Sequence, residues 1–279
     1  RQRQMCIRDR SGWIYSFFDY RIGYKLSKCE FVGLDNFIYA FGDPYIITVI
    51  LNTLIISILG LLGLPLAGMI AILLSEVRGK KFKKTVQTAI TIPNFISWII
   101  IYSIMFSLFS NDGLLTTLVR GLSGNRDSTV TLLTNPGTAK LFMVLTNIWK
   151  TVGYNSIIFF AAVTGIDSQL YDAAAVDGAG RWQKILHITI PGILPTFITL
   201  LIISVGAILN NGFEQYYVFV NPMIQKNIEV LDYYVYRIGM LNNDIPASTA
   251  VSMIKTFISV VLVFSVNKLS KKTLGQSIL

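Results

Sequence analysis

Two lysines stand inside long apolar runs of this chain. Lys150 lies near the middle of the run 141–165, and Lys255 lies in the first half of the run 247–267. A charged side chain at the centre of a lipid bilayer costs about 2.5–3.5 kcal/mol on insertion scales, so a retained charge marks a functional candidate. If these runs cross a membrane, both lysines are candidates for pairing or for binding a solute.

Polar side chains accompany both lysines. Around Lys150 they recur every three or four residues, which places them on one face of a helix. Two interpretations stay open. In the structural one, Glu214 pairs with Lys255 and asparagines bridge helices; in the functional one, the groups line a pathway for a solute. The candidate pathway residues are Asn147, Lys150, Tyr154, Asn155, Asn211, Glu214, Gln215 and Lys255.

Other chemistries lack their residues. The chain has one histidine, His187, and two cysteines, Cys6 and Cys29, which form no cluster. Structural zinc takes about four nitrogen or sulfur ligands, so no metal site is predicted. No pair of carboxylates lies at helical spacing within an apolar run, and no GxxxxGK[ST] phosphate-binding motif occurs. We therefore predict neither an enzyme nor an ATPase site in this chain.

The elements that position these residues are predicted to be membrane helices. The chain is 53% hydrophobic and 14% charged, whereas soluble domains carry about 25% charged residues. Each apolar run reaches the roughly 20 residues that a spanning helix needs, and backbone in lipid must be helical. Glycines and a proline in "GLLGLP" predict a kink in the first run. The runs cover 46–74, 86–109, 141–165, 193–213 and 247–267.

The segment "SGWIYSFF" before these runs is too short to span, and we interpret it as the stump of a first helix. The predicted fold is therefore all-α, a polytopic transmembrane bundle of six-helix type with its first helix truncated. Residues 1–10 are interpreted as a non-native or disordered tail, and residues 11–279 as the transmembrane domain.

The net charge of +9 is explained by topology rather than by nucleic acid, because the cations cluster beside apolar runs and not on a basic face with aromatic residues. Loops rich in lysine and arginine stay in the cytoplasm. This rule places the loops 76–85 and 166–192 and the C-terminal tail inside the cell, and with the first helix restored both termini are cytoplasmic.

The loop 166–192 is long, and long loops in compact structures are seldom without order. Asp167 or Ser168 can cap a helix there, and the alanines that follow favour one. Gly178 or Gly180 can end it in the left-handed conformation. A second amphipathic stretch with Trp182, Ile185 and Ile188 follows, and Pro191 is expected to stop it. One interpretation is a helix lying on the membrane surface.

This loop resembles a known signature. Permease subunits of binding-protein-dependent ABC importers carry E-A-A, three residues, G, nine residues and I-x-L-P. The chain matches this signature, with Asp172 in place of glutamate and Ile190 in place of leucine. An aspartate directly before the glycine, here Asp177, is a further similarity to the carbohydrate-uptake members of the family. The resemblance covers about residues 13–279. It implies that one set of residues in this loop couples the chain to an ATPase subunit. These residues are Asp172, Ala173, Ala174, Asp177, Gly178, Ala179, Ile188 and Pro191.

The resemblance implies a function and partners. The loop would be a coupling helix seated on a separate ATP-binding subunit, and ATP–Mg would be used by such subunits and not bound by this chain. The implied assembly adds a second homologous permease, two ATP-binding subunits and an extracellular solute-binding lipoprotein in a bacterial cytoplasmic membrane. The substrate would be an oligosaccharide bound by amides and by the rings of Tyr154 and Trp149, and a pair of lysines would favour an acidic sugar. The alternative function is an ion-coupled secondary transporter.

Overall fold

The structure, a computed structural model, describes residues 12–123 and 132–274. Across those two stretches, regular structure is helical apart from one isolated β-bridge between Phe18 and Phe31. The all-α prediction is confirmed. The α-helices are α1 Asp35–Gly42, α2 Pro44–Gly60, α3 Gly63–Glu76, α4 Lys80–Phe95, α5 Trp98–Phe109, α6 Leu114–Ser123, α7 Pro136–Thr164, α8 Ser168–Val176, α9 Arg181–Gly206, α10 Phe213–Phe219, α11 Gln225–Ile228, α12 Leu231–Tyr236 and α13 Ile245–Leu274.

Within residues 12–123 and 132–274, four helical stretches are long and apolar enough to cross a membrane: Pro44–Glu76, Trp98–Leu122, Arg181–Gly206 and Ile245–Lys272. Helix α7 is not among these four stretches, because its polar stripe lowers its hydropathy. It is 29 residues long, and its role as a span stays a prediction.

The predicted kink in the first span is confirmed. Helices α2 and α3 are separated by a turn at Leu61 and Leu62, whose amides bond to the carbonyls of Ile58 and Leu59 at 3.2 Å. Pro65 lies in the first turn of α3, where a missing amide costs little because those donors have no partner within the helix.

The prediction of one helix over 86–109 is wrong. Helix α4 already begins at Lys80, and the chain breaks between α4 and α5 at Ile96, which is extended with φ −81° and ψ 136°. Pro93 in the last turn of α4 disfavours continuation, and the Ser97 hydroxyl accepts a bond from the Ile100 amide at 3.4 Å, which starts α5 anew. Hydropathy alone detects the apolar run and not this break.

The expectation that Pro191 stops a helix is also wrong, because α9 runs through it. Residues Ile185–Thr189 form a π-helical segment that ends two residues before the proline. The changed hydrogen-bond register of a π turn accommodates the missing amide without ending the helix. Helix α9 instead ends at Gly206, before the predicted end at 213, and Gly212 with φ +81° precedes α10.

The segment interpreted as a helix stump begins, in the described residues, with a 3-10 helix at Trp13–Phe17. The Asn36 amide of α1 donates to the backbone oxygens of Ser16 and Phe18 at 3.0 and 3.1 Å, which fixes this segment against α1. The interpretation of residues 1–10 as a tail lies outside the described residues.

The described chain divides into two compact units. The first comprises 12–57, 132–140 and 207–262. Its core forms where α2 packs with α12 and α13. The buried side chains of this core are Ala40, Ile46, Val49, Leu209, Leu231, Tyr234, Ala247 and Val251.

The second unit comprises 58–123, 141–206 and 263–274. Its core is built from α3, α7 and α9, and small residues on α3 let the aromatic ring of Phe159 enter. The buried side chains are Ala67, Ala71, Phe159, Val163 and Ile193. This unit carries the loop 166–192, so the core of α7 and α9 supports that loop from both ends.

Candidate functional site

The loop 166–192 contains a capped helix, α8. The Asp167 carboxylate accepts a hydrogen bond from the Gln169 amide at 2.9 Å and forms the N-cap. At the other end Gly178 has φ +77°, and the Ala179 amide donates to the Ala174 carbonyl at 2.8 Å. Both predictions about these ends are confirmed, and of the two glycines considered, Gly178 is the left-handed one.

Two further bonds tie α8 and its following turn to α9. The Tyr171 hydroxyl lies 2.9 Å from the Thr189 hydroxyl, and the Gly180 amide donates to the Gln183 side chain at 2.7 Å. These contacts join residues on different elements, so helical spacing did not reveal them. They make the loop an ordered corner rather than a flexible connection.

The surface of α8 is exposed and partly apolar. No residue of α8 is buried. Leu170 is 53% exposed, Val176 89% and, in the first turn of α9, Trp182 75%. Large apolar side chains grouped on a surface mark an interaction site. Of the predicted coupling residues, Asp172, Ala173, Asp177, Gly178 and Pro191 are exposed, and Ala174, Ala179 and Ile188 are half-buried.

Lys150 of α7 is buried, with 8% of its surface exposed, and its side chain contacts the C-terminal end of α4. Its ammonium donates to the carbonyls of Pro93 at 3.2 Å and Asn94 at 3.1 Å, and also to the carbonyl of Ile96. An ammonium has three donors, so all are used. The lysine caps carbonyls at the C-terminal end of α4 and in the break, and the Pro93 carbonyl also accepts the Ile96 amide at 3.3 Å. The interpretation of Lys150 as a charge lining a solute pathway stays a prediction, and in this structure its three donors are bonded to backbone carbonyls.

The other members of the α7 stripe have different environments. Tyr154 is 47% exposed and the neighbouring Trp149 42%. Asn147 is half-buried, and its carbonyl accepts a bond from the Thr151 hydroxyl at 2.9 Å. Asn155 is half-buried. On this stripe the aromatic rings are the accessible groups.

In the first unit, Lys255 pairs with Asp232 and not with Glu214. The Lys255 ammonium contacts the Asp232 carboxylate, and the second carboxylate oxygen accepts a bond from the Gly212 amide at 3.1 Å. Glu214 is exposed. The expected pair with Glu214 is wrong because the turn at Gly212 brings Asp232, and not the first turn of α10, to the lysine.

Asn211 and Gln215 have structural contacts beside this pair. The Ser57 hydroxyl donates to the Asn211 side chain at 3.0 Å. Gln215 is buried at 1% exposure, as is its neighbour Tyr216 at 2%. Burial raises the pKa of the Tyr216 phenol, while a hydrogen bond with Asn211 acts in the opposite direction. The asparagine therefore bridges elements, as the structural interpretation expected.

A buried carboxylate that the sequence did not single out organises the first unit. Glu229 is 0% exposed. It accepts bonds from the Tyr45 hydroxyl at 2.6 Å, the Gln225 amide at 3.1 Å and the Arg237 guanidinium at 2.7 Å. Its backbone carbonyl accepts a bond from Asn52 of α2 at 3.2 Å. Full hydrogen bonding makes a buried charge tolerable, and these bonds join α2 to the segment 225–237.

Arg237 also forms one wall of a cavity of about 610 Å³. Its guanidinium lies 5.6 Å from the Tyr45 ring centroid and 5.3 Å from that of Tyr234. Burial alone would lower the pKa of Arg237, but the hydrogen bond and charge of Glu229 raise it above its usual value. Burial raises the pKa of Tyr234 to about 12. Polar residues lining the cavity are Tyr39, Asp43, Arg237, Asn242 and Asp244.

The comparison with protein families gives a match over most of the chain. Residues 63–274 match the model of the binding-protein-dependent transport system inner membrane component. The chain belongs to this family.

Curated relatives of this inner membrane component are found in Bacillus subtilis. LplB is 36% identical over 263 residues, which cover 94% of this chain and 82% of LplB. The polygalacturonan/rhamnogalacturonan transport system permease protein YteP is 38% identical over 263 residues, covering 94% of this chain and 81% of YteP.

Solved structures agree. A bacterial ABC transporter involved in the import of the acidic polysaccharide alginate contains a chain with a TM-score of 0.86 and 31% identity, covering 96% of this chain and 90% of that one. A bacterial alginate ABC transporter, in complex with a periplasmic protein that holds an alginate pentasaccharide, gives a TM-score of 0.83 and 33% identity over 88% of this chain and 85% of that one. This inner membrane component therefore has the transmembrane fold of ABC importer permeases.

Proposed function

We propose that this chain is the permease subunit of an ATP-driven importer that moves a carbohydrate across the bacterial cytoplasmic membrane, and that separate ATPase subunits drive it through the loop 168–190. The observation that carries the proposal is α8, a capped helix without a buried residue beside exposed Val176 and Trp182. A helix so tightly capped, yet so little covered, is suited to fit a partner's groove and transmit a displacement.

A partner protein fits α8 better than a membrane surface does. Helices that lie on membranes carry lysine and arginine on their polar face. Helix α8, "SQLYDAAAV", has no cation, and Asp172 and Asp177 are both exposed. The cytoplasmic leaflet is negatively charged, so α8 itself has no electrostatic attraction to it. The alanines between the two acids allow close approach of another backbone.

The proposed assembly contains this chain, a second homologous permease, two ATP-binding subunits and an extracellular solute-binding lipoprotein. ATP–Mg is held and hydrolysed by the ATP-binding subunits, and this chain contributes no catalytic residue. Both termini are proposed to be cytoplasmic, as the clusters of lysine and arginine indicate.

For the substrate we propose an acidic oligosaccharide. Support comes from the relatives, because YteP is named for polygalacturonan and rhamnogalacturonan and the similar solved structures concern alginate. The two lysines do not support it, since buried Lys150 is bonded to three carbonyls and half-buried Lys255 to Asp232. Solute contacts are proposed at accessible groups instead, with the Tyr154 ring and Glu214 among them.

Co-purification and uptake test the proposal. The chain is co-expressed with a homologous second permease and with ATP-binding subunits, and the tagged chain is isolated. Val176→Glu should lose the ATPase subunits, because a carboxylate would be buried unpaired in their groove. Met223→Glu, at an exposed apolar position outside the four candidate spans, is the control and should retain them. Reconstituted wild type should import labelled oligouronates faster than neutral oligosaccharides of the same length.

Uptake that follows an imposed proton gradient without ATP would instead identify an ion-coupled secondary transporter. Equal rates for acidic and neutral sugars would reject the acidic substrate and keep the importer. ATPase subunits that stay bound to the Val176→Glu chain would reject α8 as the coupling element.

A further inference from the structure

Helices α4 and α7 contact each other at three levels in one antiparallel register. The Lys83 ammonium lies 4.5 Å from the ring centroid of Phe160. Further along, Gly153 packs against the backbone of Ile90, so that a Cβ at position 153 would lie 1.8 Å from the Ile90 carbonyl oxygen. From the first contact to the second, the residue number rises along α4 by as much as it falls along α7. The two helices therefore keep one antiparallel register over this length.

At the third level α4 and α7 are joined by an electrostatic contact, which Lys150 makes. Its ammonium is bonded to the carbonyls of Pro93, Asn94 and Ile96, and it lies 5.2 Å from the ring centroid of Trp98, the first residue of α5. A cation at a helix C-terminus is attracted by the helix dipole. Lys150 thus holds the end of α4, the break and the start of α5 to a single point on α7.

The corner from α7 to α8 is packed as well. The Gly165 amide continues the α7 hydrogen bonding to the Ala161 carbonyl at 3.1 Å. Ile166 fits against Gly192 of α9 so closely that a Cβ at 192 would lie 2.5 Å from the Ile166 side chain. The corner between α7 and α8 is therefore also held against α9.

From these contacts we infer that Lys150 is a positioning residue of the transport cycle. It makes α4 and α7 one rigid pair, so that a displacement of α8 is delivered to the break at Ile96 and Ser97. The break, where the backbone is extended and only Ser97 caps α5, is the point at which α5 turns relative to the pair. This inference rests on the proposed function for the source of the displacement, but the rigid pair itself rests on the contacts above.

Distance measurements on the assembled transporter test the inference. Spin labels are attached to cysteines at Thr88 of α4 and Leu141 of α7, both exposed, in a chain with Cys6 and Cys29 replaced by serine. The wild-type distance should be single and identical in the nucleotide-free and the vanadate-trapped state. Lys150→Met should broaden it, and Lys150→Arg, which keeps a cation and its donors, should restore it. Lys140→Met, near the start of α7, is the matched control.

Coupling is measured on the same variants as solute imported per ATP hydrolysed. Lys150→Met should lower this ratio several-fold, whereas a merely structural defect would lower import and hydrolysis together. A wild-type distance that differs between the two states overturns the inference, and so does a wild-type ratio in Lys150→Met. If Lys150→Met does not assemble, Lys150→Gln replaces it, and the wild-type distance still decides. Absence of ATP-driven import in wild type would reject the proposed function while leaving the distance test in force.

Discussion

The backbone of Gly153 touches the carbonyl of Ile90, and no side chain fits between α7 and α4 at this level. A Cβ at position 153 would lie 1.8 Å from the Ile90 oxygen and 2.4 Å from its carbonyl carbon. Both are backbone atoms, which cannot move aside as a flexible side chain can. This contact and the Lys150 cap belong to the same interface between α4 and α7. Together they explain how α7, which carries a buried cation, packs so closely against α4.

Gly153→Ala should destabilise the protein strongly. Overpacking typically costs about 1–3 kcal/mol, and the upper part of that range is expected because the obstructing atoms are backbone. The measurement is thermal unfolding of the purified chain in detergent. Gly121→Ala in α6 is the control, because a Cβ there meets nothing within 4 Å. Equal melting temperatures for the two variants would show that α4 and α7 are not in this contact.

Gly178→Ala should loosen α8 without any clash. A Cβ at 178 meets nothing within 4 Å, but φ is +77°, and the left-handed conformation costs an L-residue roughly 1–2 kcal/mol. Faster amide hydrogen exchange over 168–176 and weaker coupling of ATP hydrolysis to uptake are expected. Gly180→Ala is the matched control, since its φ is −71° and the nearest atom is 3.7 Å away. If the rate of amide hydrogen exchange over 168–176 is unchanged in both variants, the left-handed conformation of Gly178 is not needed to hold α8.

Glu229→Gln should destabilise the first unit. Removing one partner of a buried ion pair typically costs about 3–5 kcal/mol, and the lower end of that range is expected because the remaining Arg237 side chain is 25% exposed. Arg237 then keeps the rings of Tyr45 and Tyr234 and an uncharged amide oxygen as neighbours, but no opposite charge in the pair. Tyr45→Phe removes a single bond to the carboxylate and should cost about 1.5–3 kcal/mol. Thermal unfolding of both variants gives the comparison, and a larger effect of Tyr45→Phe would contradict the assignment of Glu229 as the centre of this network.

Lys255→Gln should lower uptake of acidic and neutral oligosaccharides by the same factor. The reason is that the lysine charge is already neutralised by Asp232. The double variant Lys255→Gln with Asp232→Asn removes both charges, and it should be more stable than the single variant because no half-buried carboxylate is left without its cation. Initial uptake rates and melting temperatures test both statements. A selective loss of acidic sugar uptake would show that Lys255 reaches the solute.

Features with local causes could be predicted from the sequence. The N-cap at Asp167, the left-handed Gly178 and the kink between α2 and α3 each depend on residues within one or two turns. The break at Ile96 has local causes too, in Pro93 and Ser97, but the apolar run around it concealed them. Pro191 shows the limit of such rules, because a π-helical segment next to it kept the helix intact.

The sequence by itself determined the class of protein, since its low charge, apolar runs and E-A-A type loop suffice for a transmembrane permease. Tertiary structure alone decided what the buried charges do. Lys150 is bonded to carbonyls more than fifty positions earlier in the chain, and Glu229 is bonded to Tyr45 across a separation of 184 residues. The physical reason is that a charge in an apolar interior takes whichever donor or acceptor the fold brings within 3 Å or so, and residue spacing along one helix carries no information about that neighbour.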